Sequence, residues 1–376
     1  MLSLVHEIIA WAWIGVPATA LVFTLVVFFH ELGHFLVARA YGVAVETFSI
    51  GFGGEIFGWT DKHGTRWKVS WLPLGGYVKF KGDAGPTSMP DREKIARMSA
   101  EERKSAFPLK PLYQRALVAV AGPVANFLLA IVVYSILFAT IGAGSPSTYV
   151  GEVIANTPAA AAGIQVGDRI LSINGQKVVF FADIHDALEK LKDKPVNIVL
   201  NHNGNFRQLT LNQREIHGKD LFGANAKYVG IGIGEETEDT QTFVFVRLPV
   251  HLAPVAAVSQ VWGITELTFM YLERIVTHQA DASQMSGPVG IAKAAKTAAS
   301  HGLYDLISLI ALLSVSIGLV NLFPIPLLDG GHLLYYGCEA VLGRPLDERT
   351  QDVGFRFGLA LVLGLLIFFT WNDLVR

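Results

Sequence analysis

Cysteine is nearly absent. Cys338 stands alone in 376 residues, so the chain can form no intramolecular disulfide and no multi-cysteine metal site. Charge is also scarce: Asp, Glu, Lys and Arg make up 16% of the residues, against about 25% in soluble domains. The net charge of −2 leaves no bulk polycation, which excludes nucleic acid as the expected partner. No Lys or Arg precedes the first apolar run, so the basic n-region of a signal peptide is missing although Ala18-Thr19-Ala20 has the look of a cleavage site. The chain is instead rich in hydrocarbon: 51% of residues are apolar and the mean hydropathy is +0.41.

These residues are gathered in blocks. Four runs, at about 9–36, 114–141, 304–327 and 354–372, are long enough to cross a bilayer, which takes about 20 mostly apolar residues. Pro324 and Pro326 interrupt the third. Basic residues from Arg39 to Lys110 crowd the loop after the first run, and Arg344, Arg349 and Arg356 flank the loop after the third. With four spans those loops share one side, the cytoplasmic one, which leaves both termini and residues 142–303 outside. Residues 251–278 are apolar but carry Gln260, Glu266, Glu273 and Arg274, and read as an amphipathic helix on the outer membrane surface. Residues 83–111, charged and punctuated by proline, read as a cytoplasmic linker with a short surface helix.

Between the second and third runs, "YVGEVIANTPAAAAGIQVGDRILSINGQKV" alternates short strands with turns at Gly167-Asp168 and Asn174-Gly175. A helical stretch at 183–192 and two strands around Asn203-Gly204 follow. This order resembles a bacterial, circularly permuted PDZ domain over about 148–215, a fold that binds extended peptides at a sheet edge. A spacer or steric filter is the equal alternative. "KYVGIGIG" and "QTFVFVRL" look like further strands, so 228–248 extends this region.

The first run contains His30-Glu31-Leu32-Gly33-His34. Ionisable groups are costly in hydrocarbon and mark function there. On a helix, residues four apart share a face, so His30 and His34 can grip one metal ion with Glu31 beside them. Two imidazoles on zinc with a glutamate as general base is the metalloprotease arrangement, and a catalytic zinc takes a third protein ligand. Asp329 is the one acid near the end of the third run, at matching depth, with Gly330-Gly331 leaving room for close approach. His332 competes for the role but lies nearer the interface. Two other functions remain open: a non-proteolytic PDZ scaffold clipped by metal, and a metal transporter. The transporter is disfavoured, because the second run offers only Asn126, Tyr134 and Ser135 and the fourth almost nothing polar.

"HELGH" (30–34), "GPVANF" (122–127), the PDZ-like core, "SGPVGIAK" (286–293) and "NLFPIPLLDGGH" (321–332) together resemble the site-2 protease family of intramembrane zinc metalloproteases, on its bacterial regulator-of-sigma-E branch. The resemblance implies one zinc per chain held by His30, His34 and Asp329, with Glu31 as catalytic base. Asn321, with the Pro324/Pro326 break, would lie near substrate, and Asn126, Gly122 and Pro123 would support the site. It implies single-span membrane proteins as substrates, trimmed first on the outer side, and a bacterial inner-membrane location. Relatives on that branch often carry two PDZ copies, where this chain has one clear copy.

The expected architecture is an α-helical polytopic membrane protein with four transmembrane helices, a membrane-associated β-hairpin loop and an inserted extracytoplasmic PDZ domain (α+β). Its parts are a first helix (1–44), hairpin loop and linker (45–113), second helix (114–142), PDZ domain with following strand (148–233), strand and surface helix (234–303), third helix (304–335) and fourth helix (354–373). A helix in hydrocarbon hides its peptide bonds in its own hydrogen bonds, so cleavage requires unwinding. The stretch 54–80 alternates as a hairpin around Asp61 to Gly64, with Trp59, Trp67, Trp71 and Tyr77 suited to the interface. Its 66–72 edge (Arg66, Trp67, Lys68, Val69, Ser70 and Trp71) is expected to hold the substrate by strand addition.

Overall fold

The computed structural model describes residues 11–85, 90–191, 194–219, 225–236, 242–281 and 285–375. The expected first span therefore loses 9–10, with the N-terminal segment, to the part outside the described residues. The same holds for 237–241 within the strands expected at 228–248. The chain divides into two units. One comprises Met1–Ser135, Pro254–Phe269 and Ala282–Arg376, the other Ile136–Ala253 and Met270–Asp281.

In chain order the site-bearing unit begins with α1 (Val16–Ala40), β1 (Val45–Thr60), β2 (Arg66–Phe80), α2 (Arg92–Arg97), α3 (Ala100–Lys104) and α4 (Leu112–Thr140). The second unit carries β3 (Ala143–Pro146), β4 (Glu152–Val153), α5 (Pro158–Ala161), β5 (Arg169–Ile173), β6 (Gln176–Lys177) and α6 (Phe181–Lys190). It continues with β7 (Pro195–His202), β8 (Asn205–Asn212), β9 (Arg214–Lys219), β10 (Asn225–Gly230), β11 (Ile233–Gly234) and β12 (Phe243–Val246). The chain closes with α7 (Ala253–Val276), α8 (Pro288–His301), α9 (Leu303–Leu322), α10 (Asp329–Leu342) and α11 (Glu348–Val375).

Four helical stretches, Trp11–Ala40, Leu112–Thr140, Leu303–Leu322 and Arg349–Val375, are long and apolar enough to cross a membrane. The first includes a π-helical turn, Trp11–Gly15, ahead of α1, and Pro17 sits in the first turn of α1, where its missing N–H costs nothing. One end of α1 packs Ala18, Val22 and Val26 against Ala295 of α8 and Ile310 of α9. The other end packs Phe35 and Ala38 against Phe48, Val78, Phe80 and Val118. His30 and His34 fall between these anchors, so their helix is held on both sides of the site.

The expected third span, 304–335, is two helices. Helix α9 ends at Leu322 because neither Pro324 nor Pro326 can donate a backbone hydrogen bond, and α10 starts afresh at Asp329. Between them Leu327 adopts φ 126°, a conformation that is strained for a side chain of its size. A Cβ on Gly330 would lie 2.2 Å from the Phe323 carbonyl oxygen and one on Gly331 2.4 Å from that of Ile325. Only glycines allow the restarted helix to fold this closely onto the break.

The hairpin turn forms where the alternation places it. Asp61 Oδ1 accepts from the His63 and Thr65 amides, Gly64 takes φ 87°, and Asp61 Oδ2 accepts from Arg39 Nη1 (3.1 Å) and Trp67 Nε1 (3.2 Å), tying the tip to the end of α1. Its register corrects the expected substrate edge. Residues 66–69 pair on one side with 57–60 (Trp59↔Trp67, Phe57↔Val69) and on the other with 47–50 (Phe48↔Trp67, Ile50↔Val69). Residues 47–50 also pair with 76–79 (Phe48↔Val78, Ser49↔Tyr77). Trp67 accordingly stacks on both Phe48 (4.4 Å) and Trp59 (5.9 Å), and Ser70 Oγ meets Ser49 Oγ at 3.1 Å in the interior. Arg66, Trp67, Lys68 and Val69 are thus an inner row paired on both sides, and Ser70, buried beside Ser49, pairs with Glu55. The outer rows of the sheet are 55–60 and 76–80.

In the second unit, β6-β5-β7-β8 form an antiparallel sheet and α6 lies near its predicted place, with Ile170, Ile173, Ile184, Val196, Ile198 and Leu200 in the core. The strands expected after it are present as β10, β11 and β12, paired with β9, β4 and β3. The linker carries two short helices, α2 and α3, the second closed by a Ser99/Glu102 capping box. The "SGPVGIAK" motif opens α8: the Gly287 and Gly290 amides donate to Asp373 of α11 at 3.1 and 2.7 Å. A Cβ on either glycine would meet that contact at 3.0 Å or less.

Candidate active site

Three atoms converge from two helices. His30 Nε2 and His34 Nε2 lie 3.2 Å apart, and Asp329 Oδ2 lies 3.1 and 3.3 Å from them. Four ligands at about 2.0–2.1 Å around tetrahedral zinc stand about 3.3–3.4 Å from one another, so the triangle already has the spacing of three zinc ligands. Asp329 Oδ2 is buried with no hydrogen-bond donor, an orphan acceptor whose natural partner is a cation. His30, His34 and Asp329 therefore fit the metal in number, chemistry and distance. His332 lines the cavity without joining this triangle.

Helix α4 sets the two rings. His34 Nδ1 donates to the Val118 carbonyl at 2.7 Å, which leaves Nε2 free to ligate. Asn126, fully buried, places its amide 3.3 Å from His30 Nδ1, and its own backbone carbonyl accepts from Ser314 Oγ of α9 at 2.9 Å. A Cβ on Gly122 would lie 2.3 Å from His34 Nε2 and 2.9 Å from His30 Cε1, so glycine is what lets α4 pass against both imidazoles. Pro123, inside α4, cannot donate to the Ala119 carbonyl one turn earlier.

A cavity of about 180 Å³ joins these groups, lined by His30, Glu31, His34, Val78, Phe80, Ala119, Asn321 and Asp329 among others. The structure thus brings Glu31 and Asn321 to the ligand triangle. Asn321 is steadied by a bond from Nδ2 to the Ile317 carbonyl (3.0 Å). Arg66 to Trp71 are not in this cavity: Arg66 pairs with Glu55, Lys68 lies over the Tyr77 ring, and Trp71 is exposed. Pro324 is exposed too, and Pro326 lines a neighbouring cavity. The outer row that does reach the site is 76–80. The Val78 backbone amide turns toward the Glu31 carboxylate, and a Cβ on Gly76 would sit 3.6 Å from Glu31 Cγ. Reading the sequence alone missed this row, although Gly75-Gly76 ahead of "YVKF" marks a bend and a close backbone approach.

A His-Glu-His helix with a distant aspartate on a second helix defines a zinc-dependent metallopeptidase. A sequence model of peptidase family M50 matches residues 18–365, and the chain belongs to that family. It is 45% identical over 354 residues to a protein of Mesorhizobium japonicum carried under the name of a candidate zinc metalloprotease, covering 94% of this chain and 96% of that one. It is 41% identical over 377 residues to the metalloprotease MmpA of Caulobacter vibrioides, covering 94% of each. Among solved structures, the PDZ domain of an SdrC-like protein from Listeria monocytogenes matches 24% of this chain and 87% of its own length, at 26% identity and a TM-score of 0.20.

Proposed function

We propose that the chain hydrolyses peptide bonds within or beside the membrane span of single-span proteins, as the second cut of a regulated proteolysis. The substrates would be proteins already trimmed on the outer side, such as anti-sigma factors, and remnant signal peptides. The observation that carries this reading is the ligand triangle with Glu31 in one small cavity, on helices long and apolar enough to lie in a bilayer. Zinc held by His30, His34 and Asp329 would supply Lewis acidity for the activation of water. Glu31 takes the proton and passes it to the leaving amine. The outer row 76–80 holds the unwound substrate as an added strand, with Asn321 presenting its amide to the same backbone. This reading assigns the role to 76–80 and not to the expected 66–72 edge because 66–69 are already paired on both sides.

In this reading the protein sits in the bacterial inner membrane, with both termini and the second unit on the periplasmic side and the metal toward the cytoplasm. The PDZ-like region excludes substrates with bulky outer domains. Deleting 148–215 then lets untrimmed substrates be cut, and unchanged selectivity after deletion refutes the filter. Hydrolysis of a membrane-embedded substrate by native and Glu31→Gln protein tests the reading as a whole. A metal-clipped scaffold would not need Glu31.

A further inference from the structure

We propose that a second cavity, behind His332 and Tyr336, is a substrate subsite. It takes the cytoplasm-side segment of the cleaved chain in extended form, with at least one large apolar side chain. The inference rests on the protease reading above and adds to it where the substrate goes after it leaves the metal.

The cavity measures about 490 Å³, inside the range of about 300–1,000 Å³ typical of ligand pockets. Phe107, Leu327, His332 and Tyr336 line both it and the catalytic cavity, so the two are contiguous. The helix that begins with the ligand Asp329 also builds the new wall: His332, Tyr335, Tyr336 and Glu339 lie at helical spacing and all face the cavity. The row 76–80 leads there. It ends at Phe80, whose ring centroid lies 4.8 Å from that of Phe107, and Phe107 belongs to both cavities. A chain paired with this row past Glu31 runs out along Phe107 into the larger space.

The lining selects the occupant. Ile95, Leu109, Leu346 and Phe355 make much of the wall apolar. The charges balance: Arg115 is bound by Glu339 at 2.5 and 3.1 Å and stacks at 5.0 Å over the Tyr336 ring, while Arg92 and Asp352 offset each other in sign. No excess charge calls for an acidic or basic ligand.

The test uses full-length protein in detergent and a peptide of alternating Leu and Ala with a central Ser-Gly pair. In one form its cytoplasm-side arm stops just beyond the cut; in the other it continues with further Leu residues. Leu109→Trp and Leu346→Trp fill the cavity from positions that do not line the catalytic one. KM for the long peptide should rise ~10-fold, the equivalent of one lost buried leucine, with kcat and the short peptide unchanged. An equal effect on both peptides, or on neither, overturns the proposal. Affinity of the long peptide for Glu31→Gln protein, with and without Leu346→Trp, reads the subsite apart from catalysis. A loss of ~10-fold is expected there; no loss refutes the subsite even if hydrolysis is never seen.

Discussion

Val118, Gly122 and Asn126 stand one helical turn apart on α4, and each acts on an imidazole of α1. Val118 fixes the His34 tautomer through its carbonyl, Gly122 yields space, and Asn126 meets His30 Nδ1. For His30 Nε2 to ligate, Nδ1 must carry the proton and donate it. Asn126 Oδ1 is buried and unpartnered while Nδ2 faces His30, and turning the amide over satisfies both groups at once. Asn126→Leu should therefore lower zinc affinity ~10–100-fold by chelator competition. Asn126→Asp should keep it, since a carboxylate can only accept. Equal losses in the two variants would mean that Asn126 donates or merely packs. His30, His34 and Asp329, which the structure brings together, were legible in the sequence because ionisable residues stand out in apolar runs. Val118 was not, because a backbone acceptor leaves no mark in residue type.

At the scale of elements, the hairpin was legible and its register was not. Asp61 to Gly64 announce the turn, and the alternation announces strands. Yet Phe48 faces both Trp67 and Val78, and such double use appears only when the strands bend back at Gly51, Gly53 and Gly75, with φ of 86°, 92° and 117°. Val78→Pro tests the corrected edge. Proline is tolerated on an outer row whose N–H faces away from the sheet, so zinc content should hold while cleavage falls by at least ~10-fold. Because the Val78 N–H also faces Glu31, substrate affinity of Glu31→Gln protein should fall ~10-fold too, which loss of that contact alone would not cause. Unchanged cleavage would refute strand addition at 76–80.

The same row ends beside Asp83, which is 1% exposed and accepts only the Phe80 amide at Oδ2. Burial pushes its carboxyl up to about 8, partly opposed by the Phe80 amide. The folded state thus holds a proton that the unfolded chain releases near its ordinary value of 3.8. The stability from this group is full below that pH and is lost as pH rises toward 8. Asp83→Asn should match native thermal stability near pH 4 and exceed it near pH 9. Parallel melting curves across that range would contradict the burial argument.

For the whole molecule, four hydrophobic runs gave four long helices, and the strand-rich insert gave a separate unit, because length and periodicity record both. What periodicity could not record is how the last helix is held. Gly354 and Gly358 admit Tyr335 and Pro326, and Asp373 clasps the Gly287-Gly290 turn. Nor could it show the cavity next to the metal, whose walls come from the linker, α4, α10 and α11.

The proposed function requires hydrolysis inside the apolar segment of a membrane-embedded chain. The direct measurement is mass spectrometry of the products when purified protein and a single-span substrate share one liposome. Native, zinc-loaded protein should give one cut within the apolar segment. Removing zinc with a chelator should abolish it, and Glu31→Gln should slow it ~10²–10⁴-fold with zinc still bound. Full processing by Glu31→Gln protein, or a cut confined to the soluble flanks, would contradict intramembrane hydrolysis at this site.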